Sequence, residues 1–69
     1  MHRTPVSSSS LTSVGYDEKA KTLEVEFNSG SVYQYFDVPA STHLALLGAN
    51  SVGRYFSLNV RDVYRHRRL

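Results

Sequence analysis

The chain reads as an α+β fold, a three-stranded antiparallel meander followed by two or three short helices packed on one face. Three observations predict it. Leu23, Val25 and Phe27 alternate with Glu24 and Glu26, the pattern of a strand with one buried and one wet face. Asn28-Ser29-Gly30 then offers a turn, after which Tyr33 and Tyr35 resume the alternation. From Val38-Pro39 the apolar residues change to helical spacing, and Gly48 marks a stop. A small SH3-like barrel is the runner-up, and the helical character of Pro39 to Leu47 argues against it.

The first strand is assigned to Thr12–Tyr16, with Val14 and Tyr16 on one side, and Asp17-Glu18-Lys19-Ala20-Lys21 is a polar turn. Thr22 to Asn28 is the second strand. A two-residue loop at Ser29-Gly30 would need positive φ at serine or glycine in first place. A three-residue loop with Gly30 in the left-handed position suits these residues better. Counting from it, Phe27 lies opposite Ser31, Val25 opposite Tyr33 and Leu23 opposite Tyr35, so both tyrosines join the buried face. A slip of one residue would send them to the side of Glu24 and Glu26.

Pro39 to Leu47 is the first helix, with Leu44 and Leu47 inward, Ala40 one turn earlier and Gly48 as a left-handed cap. Ser51 caps a second helix, in which Gly53 permits close approach of a neighbour and Tyr55, Phe56 and Leu58 supply apolar contacts. Val60, Val63 and Tyr64 carry the core past Asn59.

With 69 residues the chain forms a single domain, spanning residues 6–65 between a frayed N-terminus, 1–5, and a frayed basic C-terminus, 66–69. The serine run from Ser7 to Ser10 belongs to the ordered part. There is no cysteine for a disulfide or a thiolate metal site. No apolar run approaches the roughly 18 residues of a membrane span, and the N-terminus lacks the apolar stretch of a signal peptide. A cytoplasmic monomer without membrane contact is expected.

The formal charge of +2 is unevenly spread. Between Tyr16 and Asp37 five carboxylates face two lysines, a net of −3, whereas Ser51 to Leu69 holds five arginines against Asp62, a net of +4. Arginine favours bidentate contacts with phosphate or carboxylate. Arg54, Arg61, Arg65, Arg67 and Arg68 are therefore expected to form one basic surface, with Tyr64 among them to stack a base.

Gly48-Ala49-Asn50-Ser51-Val52-Gly53-Arg54-Tyr55 imitates two catalytic signatures and satisfies neither. Against a phosphate loop, arginine replaces lysine and tyrosine replaces the magnesium-binding hydroxyl. Against a nucleophile elbow around Ser51, Ala49 stands where the first glycine belongs. His2, His43 and His66 have no ligand spacing, so no metal is assigned, and His43 is placed toward solvent. Glu24 and Glu26 lack the apolar setting that tunes a catalytic acid. No catalytic residue and no cofactor is assigned.

The series Phe27-x-x-Gly30-x-x-Tyr33-x-Tyr35, Val38-Pro39, Ser51-x-Gly53-x-Tyr55-Phe56, Val60-Arg61 and Tyr64, taken in order, resembles the KTSC domain over about Val6 to Tyr64. Ser57 stands where asparagine is expected in many members. The resemblance implies the small bacterial module found at the C-terminus of some lysyl-tRNA synthetases, and it brings no catalytic residues. Structural roles fall to Gly30, Tyr33, Tyr35, Ser51 and Gly53 on the turn, register and capping arguments above; the resemblance adds proximity to RNA by association. The expected function is a non-catalytic module that binds RNA or another single-stranded nucleic acid weakly through its arginines. A protein-interaction module using a strand edge or the exposed Phe36 face is the alternative.

Overall fold

The hairpin turn sets the architecture. In the computed structural model, which describes residues 1–69, the Phe27 N–H donates to the Ser31 carbonyl at 2.9 Å, closing a three-residue loop. Gly30 takes φ +93°, a conformation that disfavours any side chain. Strands β3 (Thr22–Phe27) and β4 (Val32–Tyr35) leave this loop with Leu23 opposite Tyr35 and Val25 opposite Tyr33. The register is the one that turn chemistry predicts, and it buries Leu23, Val25 and Tyr35.

Strand β2 (Leu11–Asp17) pairs with the other side of β3, with an irregularity between Leu11 and Ser13. Its Val14 and Tyr16 lie opposite Val25 and Leu23 and extend the apolar face. The preceding serines are ordered by their own hydrogen bonds. Ser8 Oγ accepts from the N–H groups of Ser10 and Leu11, and the Ser9 and Ser10 carbonyls accept from the side chain and backbone of Asn28.

Both chain ends, expected to fray, are instead paired. Arg3–Pro5 forms β1 against β2, and His66–Arg68 forms β5 against β4. The sheet thus has five antiparallel strands in the order β1-β2-β3-β4-β5 rather than three. These three-residue strands carry no apolar pattern, and β5 is exposed throughout. They exist because neighbouring strands offer unsatisfied backbone groups, a tertiary cause that local sequence does not display.

The N-terminal strand also alters the face taken as wet. Gly15 admits it: a Cβ there would lie 2.7 Å from the His2 carbonyl oxygen and 2.9 Å from Arg3 Cγ. Arg3 crosses to Glu24 at 3.2 Å, and Gln34 Nε2 donates to the same carboxylate at 3.0 Å. Glu24 is buried, its charge paired with Arg3 and its second oxygen hydrogen-bonded by Gln34.

Helices α1 (Ala40–Leu47) and α2 (Val52–Asn59) cover the apolar face. In α1 the inward residue is Leu46, not Leu44 or Ala40, both of which are exposed; Leu47 packs at the margin. Gly48 ends the helix at φ −90°, so its cap is not left-handed. In α2, Val52 and Phe56 are buried, followed by Val60, at a spacing of one helical turn, whereas Leu58 and Val63 are exposed. Ser51 caps α2 by accepting from the Arg54 N–H at 3.2 Å. Ser51→Ala is expected to lower stability by about 1 kcal/mol, and urea unfolding will show it as a lower midpoint at constant slope.

Candidate functional site

The concave feature of greatest chemical interest lies between the β4–β5 end of the sheet and α2, a groove of about 490 Å³. Its apolar wall follows directly from the hairpin register. Phe27, Tyr33, Tyr35 and Phe56 meet there in a chain of edge-on and stacked rings, with centroids 5.4–6.4 Å apart. Such geometries are favoured by the ring quadrupoles.

Strand β5 supplies the polar side. His66 lies opposite Tyr35 and Arg68 opposite Tyr33, so strand alternation sends both toward the aromatic face. The His66 ring is 5.9 Å from Tyr33 and 5.3 Å from Tyr35. Arg68 Nη2 donates to Ser31 Oγ at 3.1 Å, at the margin of the groove. The chain leaving α2 contributes Arg61 and Asp62, and Ser57 adds a hydroxyl one turn earlier. Gly53 lines the same wall and seats the helix on the serine segment, since a Cβ there would lie 3.2 Å from Ser8 Oγ.

Burial pushes the Tyr35 phenol up to about 12, with Tyr33 adding to the rise, Arg61 opposing it and Asp62 reinforcing it. The hydroxyl stays protonated at neutral pH. His, Asp and Glu side chains nowhere cluster as a metal site.

The expected single basic surface is divided by the fold. Arg61 and Arg68 flank the groove, and Arg54 stands exposed on the first turn of α2, three residues before Ser57. Arg67 pairs with Gln34 and projects from the opposite face, with Glu24. Arg65 lies over the Phe36 ring at 5.6 Å and pairs with Asp37 at 3.4 Å, covering part of the aromatic face proposed for partners. Tyr64 is half-buried, its Oη 3.4 Å from Thr42 Oγ1, and anchors the tail to α1 rather than standing among arginines.

His66 was missed as a site residue because residues 66–69 read as a frayed end. The available signal was the alternation His66-Arg67-Arg68, legible only once β5 is known to pair. Similarly, His43 does not face open solvent: its ring stacks on Tyr16 at 4.7 Å, and burial lowers its pKa.

Residues 7–64 match the KTSC domain family. The chain belongs to that family. A crystal structure of a KTSC domain protein from Yersinia pestis superposes with a TM-score of 0.96 at 37% identity, covering 99% of this chain and 96% of that one. An uncharacterised protein of Stutzerimonas stutzeri is 51% identical over 57 residues, 83% of this chain and 80% of its own length. A lysine–tRNA ligase of Nostoc punctiforme is 41% identical over 54 residues, 78% of this chain but 10% of the ligase. Within this KTSC domain the aromatic wall and Arg61 fall inside the matched span, whereas His66 and Arg68 lie just beyond it.

Proposed function

We propose that this KTSC domain is a non-catalytic module that binds single-stranded nucleic acid, RNA foremost, in the groove between β5 and α2. One observation carries the proposal: pairing of β5 sets His66 and Arg68 beside Tyr33 and Tyr35, with Arg61 across from them. The half-exposed Tyr33 ring and the exposed His66 ring, with guanidinium groups beside them, are what unpaired bases and their phosphates require. The match to a segment of lysine–tRNA ligases supports RNA as the partner by association.

Binding is expected to be weak and to fall steeply with salt, with a log–log slope of about −0.7 per phosphate neutralised. Fluorescence anisotropy with short RNA and DNA oligomers at two salt concentrations measures it. Arg61→Ala and Arg68→Ala should weaken binding while leaving the melting temperature unchanged, because both side chains are exposed. Arg65→Ala and Arg67→Ala, on the other face, should weaken it less. Equal losses from all four would replace the groove by a diffuse basic end. No binding at low salt, where screening is least, would defeat the proposal.

Protein interaction is the second reading, favoured by the open edge of β5. The opposite edge carries Pro5, which lacks an N–H and discourages strand addition. Salt-insensitive capture of an extended peptide would favour this alternative.

A further inference from the structure

We infer that the groove selects a guanine base, held by Asp62 and Arg61 against the aromatic wall. The inference rests on the nucleic-acid reading above and names the base that this site takes. Its starting point is a pair of opposite charges with no protein partners. Arg61 and Asp62 belong to neither ion pair of the molecule, Arg3–Glu24 and Arg65–Asp37; they are adjacent in sequence, exposed, and both line the groove.

A groove built for phosphates alone gains nothing from Asp62, because a carboxylate repels them. An ionised carboxylate only accepts hydrogen bonds, and a guanidinium only donates them. The ligand must therefore present donors beside acceptors on a flat body that can lie against Tyr33 and His66. Among the four bases, guanine meets this requirement most fully. Its N1–H and N2–H₂ form two adjacent donors for one carboxylate, and O6 and N7 form two adjacent acceptors for one guanidinium. Cytosine offers one amino group, adenine an amino group beside ring nitrogens, and uracil one N–H flanked by carbonyls. None of these supplies both bidentate faces. The volume of about 490 Å³ falls within the usual range of small-molecule clefts, about 300–1,000 Å³, and leaves room for a base with part of its sugar.

The test uses labelled uridine pentamers carrying guanosine, adenosine, cytidine or uridine at the centre, titrated with the full chain at low salt. The guanosine pentamer is expected to bind on the order of a hundredfold more tightly than the other three, about tenfold from each of the two bidentate contacts. Asp62→Asn removes the double acceptor and also the repulsion of phosphates. It should therefore cut the guanosine preference to the part that Arg61 alone supplies, and bind the three non-guanosine pentamers more tightly than the unsubstituted protein does. If Asp62 acts only by repulsion, all four affinities will rise by the same factor and the guanosine preference will persist, which overturns the inference. Equal affinity of the unsubstituted protein for the four pentamers overturns it too, while leaving nucleic-acid binding intact. Absence of binding to any pentamer overturns both. A thermal melt of Asp62→Asn verifies folding, and no change is expected for an exposed side chain without a protein partner.

Discussion

Tyr35→Ala is expected to cost about 3–5 kcal/mol, the range for truncating a large buried aromatic side chain. Tyr35 is 3% exposed, packs edge-on against Phe56 at 5.4 Å, and lies across the hairpin from Leu23. Its truncation would open the space beside Phe56 and Tyr33 to the groove, which His66, Arg61 and Asp62 also line. A core of this size supplies about 3–5 kcal/mol in all, so the variant should be largely unfolded at 25 °C by circular dichroism. A loss below about 1 kcal/mol would contradict the burial of the ring. Tyr35→Phe keeps the ring and removes the hydroxyl, so it should fold.

The Tyr35→Phe variant also carries a pH signature. The folded phenol is raised to about 12 from its ordinary 10.0, so folding favours the protonated form. The stabilisation is complete below about pH 10 and is lost as pH rises through 12. In Tyr35→Phe that particular loss between pH 10 and 12 should disappear, measured as the change of urea midpoint with pH.

The hairpin was legible in the sequence because its constraints are local and agree. The two-residue period, the left-handed Gly30 and the loop length all select one register, and that register brings Tyr33 and Tyr35 to the inner face. The Ser51 cap was legible for the same reason. The outer strands were not, since Arg3-Thr4-Pro5 and His66-Arg67-Arg68 become strands only when β2 and β4 exist to pair with them. The groove depended on that missing pairing. Without β5 the arginines form one charged stretch; with it, alternation divides Arg67 from Arg68 and turns His66 toward the tyrosines. The outer sheet face was misread as wet because the burial of Glu24 depends on Arg3, 21 residues away.

Helix α1 shows a different failure, and it leads to a sharp test. Leu44 and Leu47 sit three residues apart and look like a core stripe. The stripe that faces inward is Thr42, His43 and Leu46, with Leu47 at its margin, and its first two members are polar. Each has a specific reason to be there: Thr42 Oγ1 meets the Tyr64 hydroxyl, and the His43 ring stacks on Tyr16. Because a polar pair occupies the inner face of the first turn, hydrophobicity alone rotates the helix the wrong way. Leu46 is 0% exposed and Leu44 67% exposed. Leu46→Ala should therefore cost about 2–5 kcal/mol, enough to unfold much of the population, and Leu44→Ala should stay within about 0.5 kcal/mol of the unsubstituted protein. Chemical denaturation of the two variants side by side decides the matter, since both remove the same atoms from the same helix and intrinsic propensity cancels. Equal losses would mean that α1 packs through both leucines, and a larger loss for Leu44→Ala would restore the stripe that the sequence suggests.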